Sequence, residues 1–489
     1  MQQHISTLHE FLSEYWPHIV LTFSVLVSAS AAVHAAMNKN DVRAAIGWVG
    51  VIIMSPLLGP LLYLIAGINR VRRSQIYEQR DKTFKQFISY PEPPVSDIES
   101  CAGIQFRSLH ILGDRVSRFQ LRNGNHVRLL AGGDEAYPAM LEAIRNAKST
   151  IAMQSYIFDN DHIGRIFIDA LAEAHQRGVN IRVLIDAVGA KYSHPPITRL
   201  LRKHQIPHAL FMTNPLGFMR MPYANLRSHR KLLIVDGTHA FAGGMNIREG
   251  FMTEFGKENT AKDTHFSIEG PAILQLFSSF AHDWEFTTKE ELPYADWCVK
   301  EWNAPQPHVP ARCIRSGPDR FIGSNHHMLQ GACAVATRHI RIQSPYFLPD
   351  QVLMGAINTA ARRGVQVDIV IPKNNNLRLV GYAMMAQIDQ LIRAGCRVWM
   401  ATGTFNHSKL ATVDGQWSYV GSSNMDPRSL RLNFELDLEI YDTDITGQVS
   451  NLIDNEIETA EALTLEHLQN LPFHKRLRNR VIWLASPYL

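Results

Sequence analysis

Cysteine is scarce in this chain. Its five cysteines (Cys101, Cys298, Cys313, Cys333 and Cys396) are scattered over 489 residues and form no Cys-x-x-Cys pair. This argues against a disulfide framework and a zinc site, and it fits a reducing compartment. A surplus of charge is also missing. The formal net charge is only +4, so the placement of basic residues says more about partners than their number. No basic stripe interleaved with aromatics is present, which argues against nucleic acid as a partner. Lys and Arg are absent ahead of the first apolar run, so a cleaved signal peptide is disfavoured although Ala29-Ser-Ala31 resembles a cleavage site. His265, His282, His326 and His327 lack acidic or cysteine companions at metal-ligand spacing. They are expected in structural or surface places, and neither a metal nor another cofactor is called for.

What is present begins with apolar sequence. Hydrophobic residues make up 46% of the chain, more than one compact core usually holds, so at least two folding units are expected. An apolar run of about 18 residues, Ile19–Ala36, is followed by a polar turn and a second run, Ala44–Ile68, that carries no charge. These predict a membrane hairpin over residues 1–75, with spans at about 17–36 and 44–68. Pro56 and Pro60 are tolerated better in a membrane span than in a soluble helix. Arg70, Arg72, Arg73, Arg80, Lys82 and Lys85 follow the second run. By the positive-inside rule they keep the long C-terminal part in the cytoplasm, and the hairpin returns the N-terminus to the same side.

Beyond Tyr90-Pro-Glu-Pro-Pro94 the chain reads as a globular region in two related halves. A linker is expected over 76–110, a first half over 111–300 and a second over 301–489, with the Pro-rich Ala304–Pro310 between the halves. Ile151-Ala-Met-Gln-Ser-Tyr-Ile-Phe158 matches Ile340-Arg-Ile-Gln-Ser-Pro-Tyr-Phe347. Helical stretches follow at Gly164–Arg177 and Val352–Arg363, then β-rich runs at Gly178–Ile185 and Gly364–Ile371. Strand, helix, strand at this spacing predicts βαβ units in a parallel or mixed sheet. The fold class is therefore α/β, two pseudo-symmetric halves with equivalent edges facing each other.

The most informative repeat lies inside these halves. His229-Arg-Lys231-Leu-Leu-Ile-Val-Asp236 returns 178 residues later as His407-Ser-Lys409-Leu-Ala-Thr-Val-Asp414. Each copy is followed at the same distance by Gly243-Gly-Met-Asn246 or Gly421-Ser-Ser-Asn424, within motifs spanning 224–251 and 401–428. One active site assembled from two half-sites is predicted. On a strand, residues i and i+2 share a face, so each His and Lys point together into a cleft. Asp236 and Asp414 complete the motif at odd offset from the histidine and are expected to hold local structure. Two imidazoles and two ammonium groups suit a phosphodiester without a metal. The lysines offset negative charge on the non-bridging oxygens as it builds. One neutral imidazole attacks phosphorus, and the other, protonated, supplies a proton to the leaving alkoxide. Asn246 and Asn424 can donate amide hydrogens to the same phosphate. Candidate carboxylates to orient the histidines are Asp263 and Glu435.

These residues resemble the phospholipase D superfamily and, within it, the bacterial cardiolipin synthases. The closer likeness is carried by Trp48–Arg73, Arg227-Ser-His-Arg-Lys231, Ser344-Pro-Tyr-Phe347, Asn424-Met-Asp-Pro-Arg-Ser429, Asn433-Phe-Glu435 and Ser486-Pro-Tyr-Leu489. The resemblance implies an inner-membrane, multi-pass enzyme that transfers a phosphatidyl group between two phosphatidylglycerol molecules, giving cardiolipin and glycerol without metal. It implies that Glu435 orients His229, that Asp263 orients His407, and that His229 is the nucleophile. Two positions depart from the family pattern: Gly244 stands where a serine is usual, and Ala261 where a tryptophan is usual.

Other readings stay open at this level. Water could replace the acceptor, giving a phospholipase D-type phosphodiesterase that hydrolyses or transphosphatidylates other lipids. The paired motif also permits a membrane-anchored nuclease, which the two spans disfavour, while both complete motifs disfavour an inactive scaffold. Tyr382, Met384 and Met385 fit either an acyl channel or the core. The tail from Pro472 is basic and amphipathic, with Lys475, Arg476, Arg478 and Arg480 beside Phe473, Leu477, Val481 and Leu484. It fits either the headgroup zone of an anionic leaflet or a helix docked on the globular body.

Overall fold

The computed structural model describes residues 2–39, 41–68, 95, 98–213, 226–299 and 302–486. The basic cluster from Arg70 to Lys85, the Pro-rich Tyr90–Pro94, the first two residues of the 224–251 motif and the terminal Pro487-Tyr-Leu489 lie outside them. The described residues form two compact units, 2–68 and 95–486.

In the first unit, helix α1 (Gln2–Asn38) contains a 24-residue apolar stretch, Tyr15–Asn38. At 1.5 Å per residue this covers about 36 Å, enough to cross the hydrocarbon core of a bilayer. The second apolar run departs from the expected single helix. Helix α2 (Val42–Met54) is 13 residues long, about 20 Å, and stops at Ser55-Pro56. Pro56 has no amide hydrogen to continue the ladder, and its carbonyl accepts from Ser28 Oγ of α1 at 2.7 Å. The chain then bends through a short helix, Leu58–Leu62, and a π-turn, Tyr63–Gly67. Gly59 permits the bend, since a Cβ there would lie 2.5 Å from the Val51 carbonyl oxygen. His34 Nδ1 and Tyr63 Oη, 2.9 Å apart, tie the end of the bend to α1.

The second unit is built on a 16-stranded mixed sheet. The first half uses β1 (Arg122–Ala131), β2 (Thr150–Ser155), β3 (Asn180–Asp186), β4 (His208–Phe211), β5 (Arg227–Ser228), β6 (Leu232–Val235), β7 (His239–Gly243) and β8 (Thr264–Glu269). The second uses β9 (Val309–Ser316), β10 (His339–Gln343), β11 (Gln366–Pro372), β12 (Arg397–Ala401), β13 (Leu410–Val413), β14 (Trp417–Gly421), β15 (Asn433–Tyr441) and β16 (Glu461–Leu463). Across the first half the order is β4-β3-β2-β6-β7-β8-β1, and across the second it is β12-β11-β10-β13-β14-β15-β9, with β16 added at the far edge. The same order in both halves makes the repeat three-dimensional. Antiparallel pairing of β1 with β9 joins equivalent edges into one continuous sheet.

Matching sequence gives matching local structure. Helix α3 (His162–Gln176) follows β2 and is capped by Asp161, whose carboxylate accepts from Gly164 N at 2.8 Å. Helix α4 (Ala272–Thr288) packs behind the first half. Helix α5 (Gln351–Arg362) follows β10 and is capped the same way by Asp350, 3.1 Å from Leu353 N. Gly178 and Gly364, with φ of +89° and +90°, end these two helices in a conformation that side chains oppose. The parallel strands β3 and β11 follow, beside β2 and β10. Helices α6 (Arg378–Met385), α7 (Thr443–Glu458) and α8 (Phe473–Leu484) belong to the second half. Each half has its own apolar core. Residues 98–110, read from sequence as linker, are folded: Ile98, Phe106 and Leu109 are buried in the core of the second half.

Candidate active site

The two histidines meet at the seam between the halves. His229 follows the two-residue strand β5, which pairs in parallel with Asn433-Phe434 of β15, and His229 N donates to Phe434 O at 2.9 Å. His407 is held by the mirror arrangement: Asn406 bridges Lys262, and His407 N donates to Lys262 O at 2.7 Å. Each histidine therefore takes its backbone position from the opposite half. Their ring centroids lie 6.5 Å apart with planes at 72°. Both line one cavity of about 680 Å³, together with Asn246 and Asn424.

The orienting carboxylates also come from the opposite half. His229 Nδ1 lies 3.0 Å from Glu435 Oε2 and 3.0 Å from the Ser422 carbonyl oxygen. His407 Nδ1 lies 2.7 Å from Asp263 Oδ2. With Nδ1–H given to a carboxylate, each Nε2 keeps its lone pair. Glu435 is braced by Ser422 Oγ at 2.6 Å and Asn433 Nδ2 at 3.1 Å. Among the described residues Asp263 has no hydroxyl donor of this kind; its Oδ1 accepts from Thr264 N at 2.8 Å. Gly244 sits where Ser422 sits in the other half, and a Cβ on it would lie 2.3 Å from Asp263 Oδ1. The tight approach of Asp263 thus accompanies the loss of the serine.

Lys231 and Lys409 are buried beneath their histidines. Lys231 Nζ donates to His229 O at 2.6 Å, and Lys409 Nζ contacts the carbonyl of His407. Burial pulls Lys231 down to about 7 and Lys409 to about 8, against the nearby carboxylates Glu435 and Asp263, which favour the ammonium forms. Burial also lowers both imidazoles, His407 to about 3, where the charge of Lys409 adds to the effect. Desolvation alone would raise Glu435 and Asp263, but the adjoining histidine and lysine hold both below the ordinary carboxylate range. Burial thus works against an imidazolium in either ring, while the carboxylate on each Nδ1 works for it.

Asp236 and Asp414 do not line the cavity. Asp236 accepts from the amides of Lys148, Ser149 and Thr150 at 2.9, 2.7 and 2.9 Å, and Asp414 from those of Thr337, Arg338 and His339 at 2.8, 2.8 and 2.9 Å. They fasten the end of each motif strand to the turn before β2 or β10. Asn246 Oδ1 accepts from Ile157 N at 3.1 Å, while Asn424 Oδ1 is buried without a partner among the described residues.

Sequence reasoning passed over four aromatic walls and one buried ion pair. Tyr156 stands edge-on to His229 with centroids 5.1 Å apart, Tyr346 edge-on to His407 at 6.3 Å, and Phe251 and Phe405 also face His407. The repeat Gln154-Ser-Tyr156 against Gln343-Ser-Pro-Tyr346 was the available signal for the tyrosines. Arg230 pairs with Asp283 of α4 at 2.7 Å, fully buried, and donates from Nε to the backbone oxygen of Glu435 at 3.0 Å. Tyr382, Met384 and Met385 do not line this cavity; they border a different one beside α8.

Residues 140–284 and 332–457, which hold both histidines, match a family described as cardiolipin synthase, PLD-like domain. This chain belongs to that family. Residues 26–67 match the phospholipase D-nuclease N-terminal family. Cardiolipin synthase A of Pseudomonas fluorescens is 30% identical over 97% of this chain and 99% of its own length. Cardiolipin synthase of Geobacillus thermodenitrificans is 29% identical over 99% of this chain and 97% of its own. Among solved structures, phosphatidylserine synthase of Haemophilus influenzae shares the fold, with a TM-score of 0.58 over 78% of this chain and all of the other, at 15% identity.

Proposed function

We propose that this protein is a membrane phosphatidyltransferase that makes cardiolipin and glycerol from two phosphatidylglycerol molecules. The observation that carries the reading is the pair of imidazoles facing each other across one cavity, each held by a carboxylate from the opposite half. The family and the near full-length relatives give it a lipid setting.

By analogy with the family, His229 Nε2 attacks the phosphorus of the donor. The P–O bond to glycerol breaks, and the alkoxide takes the proton of His407, leaving a phosphatidyl-histidine. The glycerol hydroxyl of a second phosphatidylglycerol then attacks phosphorus, returns its proton to His407 and frees His229. Lys231 and Lys409 supply positive charge as the pentacoordinate state forms, with Asn246 and Asn424 as amide donors. Asp236 and Asp414 act from a distance by fixing the motif strands.

The anchor is read as a hairpin with both ends in the cytoplasm of a bacterial inner membrane. The spanning length of α1 and the pairing of the bent second segment with it support that reading. The repeated strand order supports dividing the globular part into two halves, read at 111–300 and 301–489.

Purified protein given only phosphatidylglycerol should release glycerol and form cardiolipin, measured by mass spectrometry of the lipids. Phosphatidic acid as sole product, with acceptor in excess, would favour hydrolysis instead. The pH profile of kcat/KM should be bell-shaped. The nucleophile must be neutral, and since burial lowers both histidines the acid limb lies below pH 6.5. The lysines must be charged, so activity falls as pH rises through about 7 to 8. Activity still climbing at pH 9 would rule out the lysines as the source of that limb.

A further inference from the structure

We propose that the outer face of α8, together with the start of α6, docks on an anionic bilayer and holds the mouth of the catalytic cavity against the lipid; the second part rests on the lipid-substrate reading above. Helix α8 is fixed to the body by one side only. Asn479 is buried, Ile482 and Trp483 pack on the core of the second half, and Trp483 Nε1 donates to Gln387 Oε1 at 3.0 Å. On the opposite side Phe473, Leu477, Val481 and Leu484 are 71%, 50%, 56% and 72% exposed. Their spacing of four, four and three residues places them on a single face. A helix facing water would carry charge there.

The helix's own charge sits instead on the flanks of the stripe and has one sign, with Asp389 of the body 3.8 Å from Arg480. At 100° per residue, Arg476 and Arg480 border the stripe on one side and Arg478 on the other. No acidic residue occurs between Phe473 and Leu484. The Arg478 guanidinium lies 3.6 Å from the centroid of Tyr382 on α6, and next to it a cavity of about 670 Å³ opens between α6 and α8. The exposed Arg378 and Lys475 line it together with Asn375, Asn479 and the buried Met384 and Met400, a mixed lining that offers cations to a lipid phosphate. The apolar surface continues through Leu379 and Leu377, 54% and 49% exposed, and Leu377 and Val380 also line the catalytic cavity. Arginines flanking an apolar stripe would repel a second copy of the same face, whereas an anionic leaflet satisfies both the stripe and its borders.

The test places a nitroxide on Leu477→Cys in a Cys101→Ser background, which removes the exposed native thiol. The full chain is reconstituted in nanodiscs of phosphatidylserine and phosphatidylcholine, or of phosphatidylcholine alone. In the anionic discs the label should be open to oxygen and shielded at least about fivefold from a water-soluble nickel chelate, and the shielding should weaken in the neutral discs. Free nickel access in anionic discs, or shielding from both reagents (a covering protein), would overturn the proposal. Equal shielding in both discs would overturn its anionic part. These readings need no turnover, so they stand apart from the fate of the synthase reading. In a second arm, Leu477→Glu with Val481→Glu should lower kcat/KM on vesicle-borne donor about tenfold and leave turnover of a dispersed short-chain donor unchanged. Full activity on vesicles would count against docking.

Discussion

Replacing His229 or His407 with alanine should lower turnover by at least about a thousandfold in either case, and replacing both should cost little more than replacing one. The reason is that the two rings act on one phosphorus in sequence. One must carry the phosphatidyl group and the other must deliver and recover the proton, so neither has work left when its partner is gone. A 6.5 Å centroid separation leaves room for one phosphate between the rings and not for two independent reactions. The measurement is cardiolipin formation with saturating phosphatidylglycerol, read beside a thermal melt. The melt matters because each backbone amide is anchored across the seam, to Phe434 O or Lys262 O, and those bonds survive the substitution. A variant that keeps its melting temperature and more than a few per cent of its activity would break the two-half-site chemistry. Independent, multiplicative losses in the double variant would break it in another way, by showing two sites in place of one.

The βαβ unit of each half was legible because the repeat is nearly complete, whereas the strand order came from the structure. Ile151–Ser155 and Ile340–Gln343, the helices after them, and the strands after Gly178 and Gly364 occupy the same places in both halves. The positions of His229 and His407 followed from the motif spacing alone. The contacts of Asp236 and Asp414 are local, three consecutive amides each. The motif histidines and lysines precede their strands and the aspartates follow them in left-handed turns (φ +52° and +55°), so the turn, and not strand alternation, points each carboxylate away from the cleft. What stayed hidden depends on long-range packing. Arg230 sits between two motif residues, yet its partner Asp283 is on α4, and nothing near either residue in sequence ties them together. The aromatic walls arise where strands from different parts of a half end at the same level. The second membrane run misled because composition counts apolar residues and does not register where the ladder breaks. Pro56 and Gly59 together fold what looked like one long span into a helix and a bend.

The two orienting carboxylates should not be equivalent. Asp263→Asn is expected to lower kcat by about three to four powers of ten, and Glu435→Gln by about two, with KM little changed in both. An amide in place of either carboxylate removes the charge that favours the imidazolium, and it can present NH₂ to Nδ1, stabilising the unproductive tautomer. His229 has a second acceptor, since the Ser422 carbonyl oxygen lies 3.0 Å from the same Nδ1 and still claims its proton when Glu435 is neutralised. Among the described residues His407 has no carbonyl in that role: its Nδ1 faces Asp263 and the ammonium of Lys409, and an ammonium cannot accept. The serine that braces Glu435 is replaced by Gly244 beside Asp263, so the substituted amide there is also less constrained. A second readout separates positioning from mere loss of structure. Glu435 helps keep Lys231 charged, so Glu435→Gln should move the alkaline limb of the pH profile to lower pH. Equal losses from the two substitutions, or a larger one from Glu435→Gln, would show that the Ser422 carbonyl does not secure the tautomer of His229.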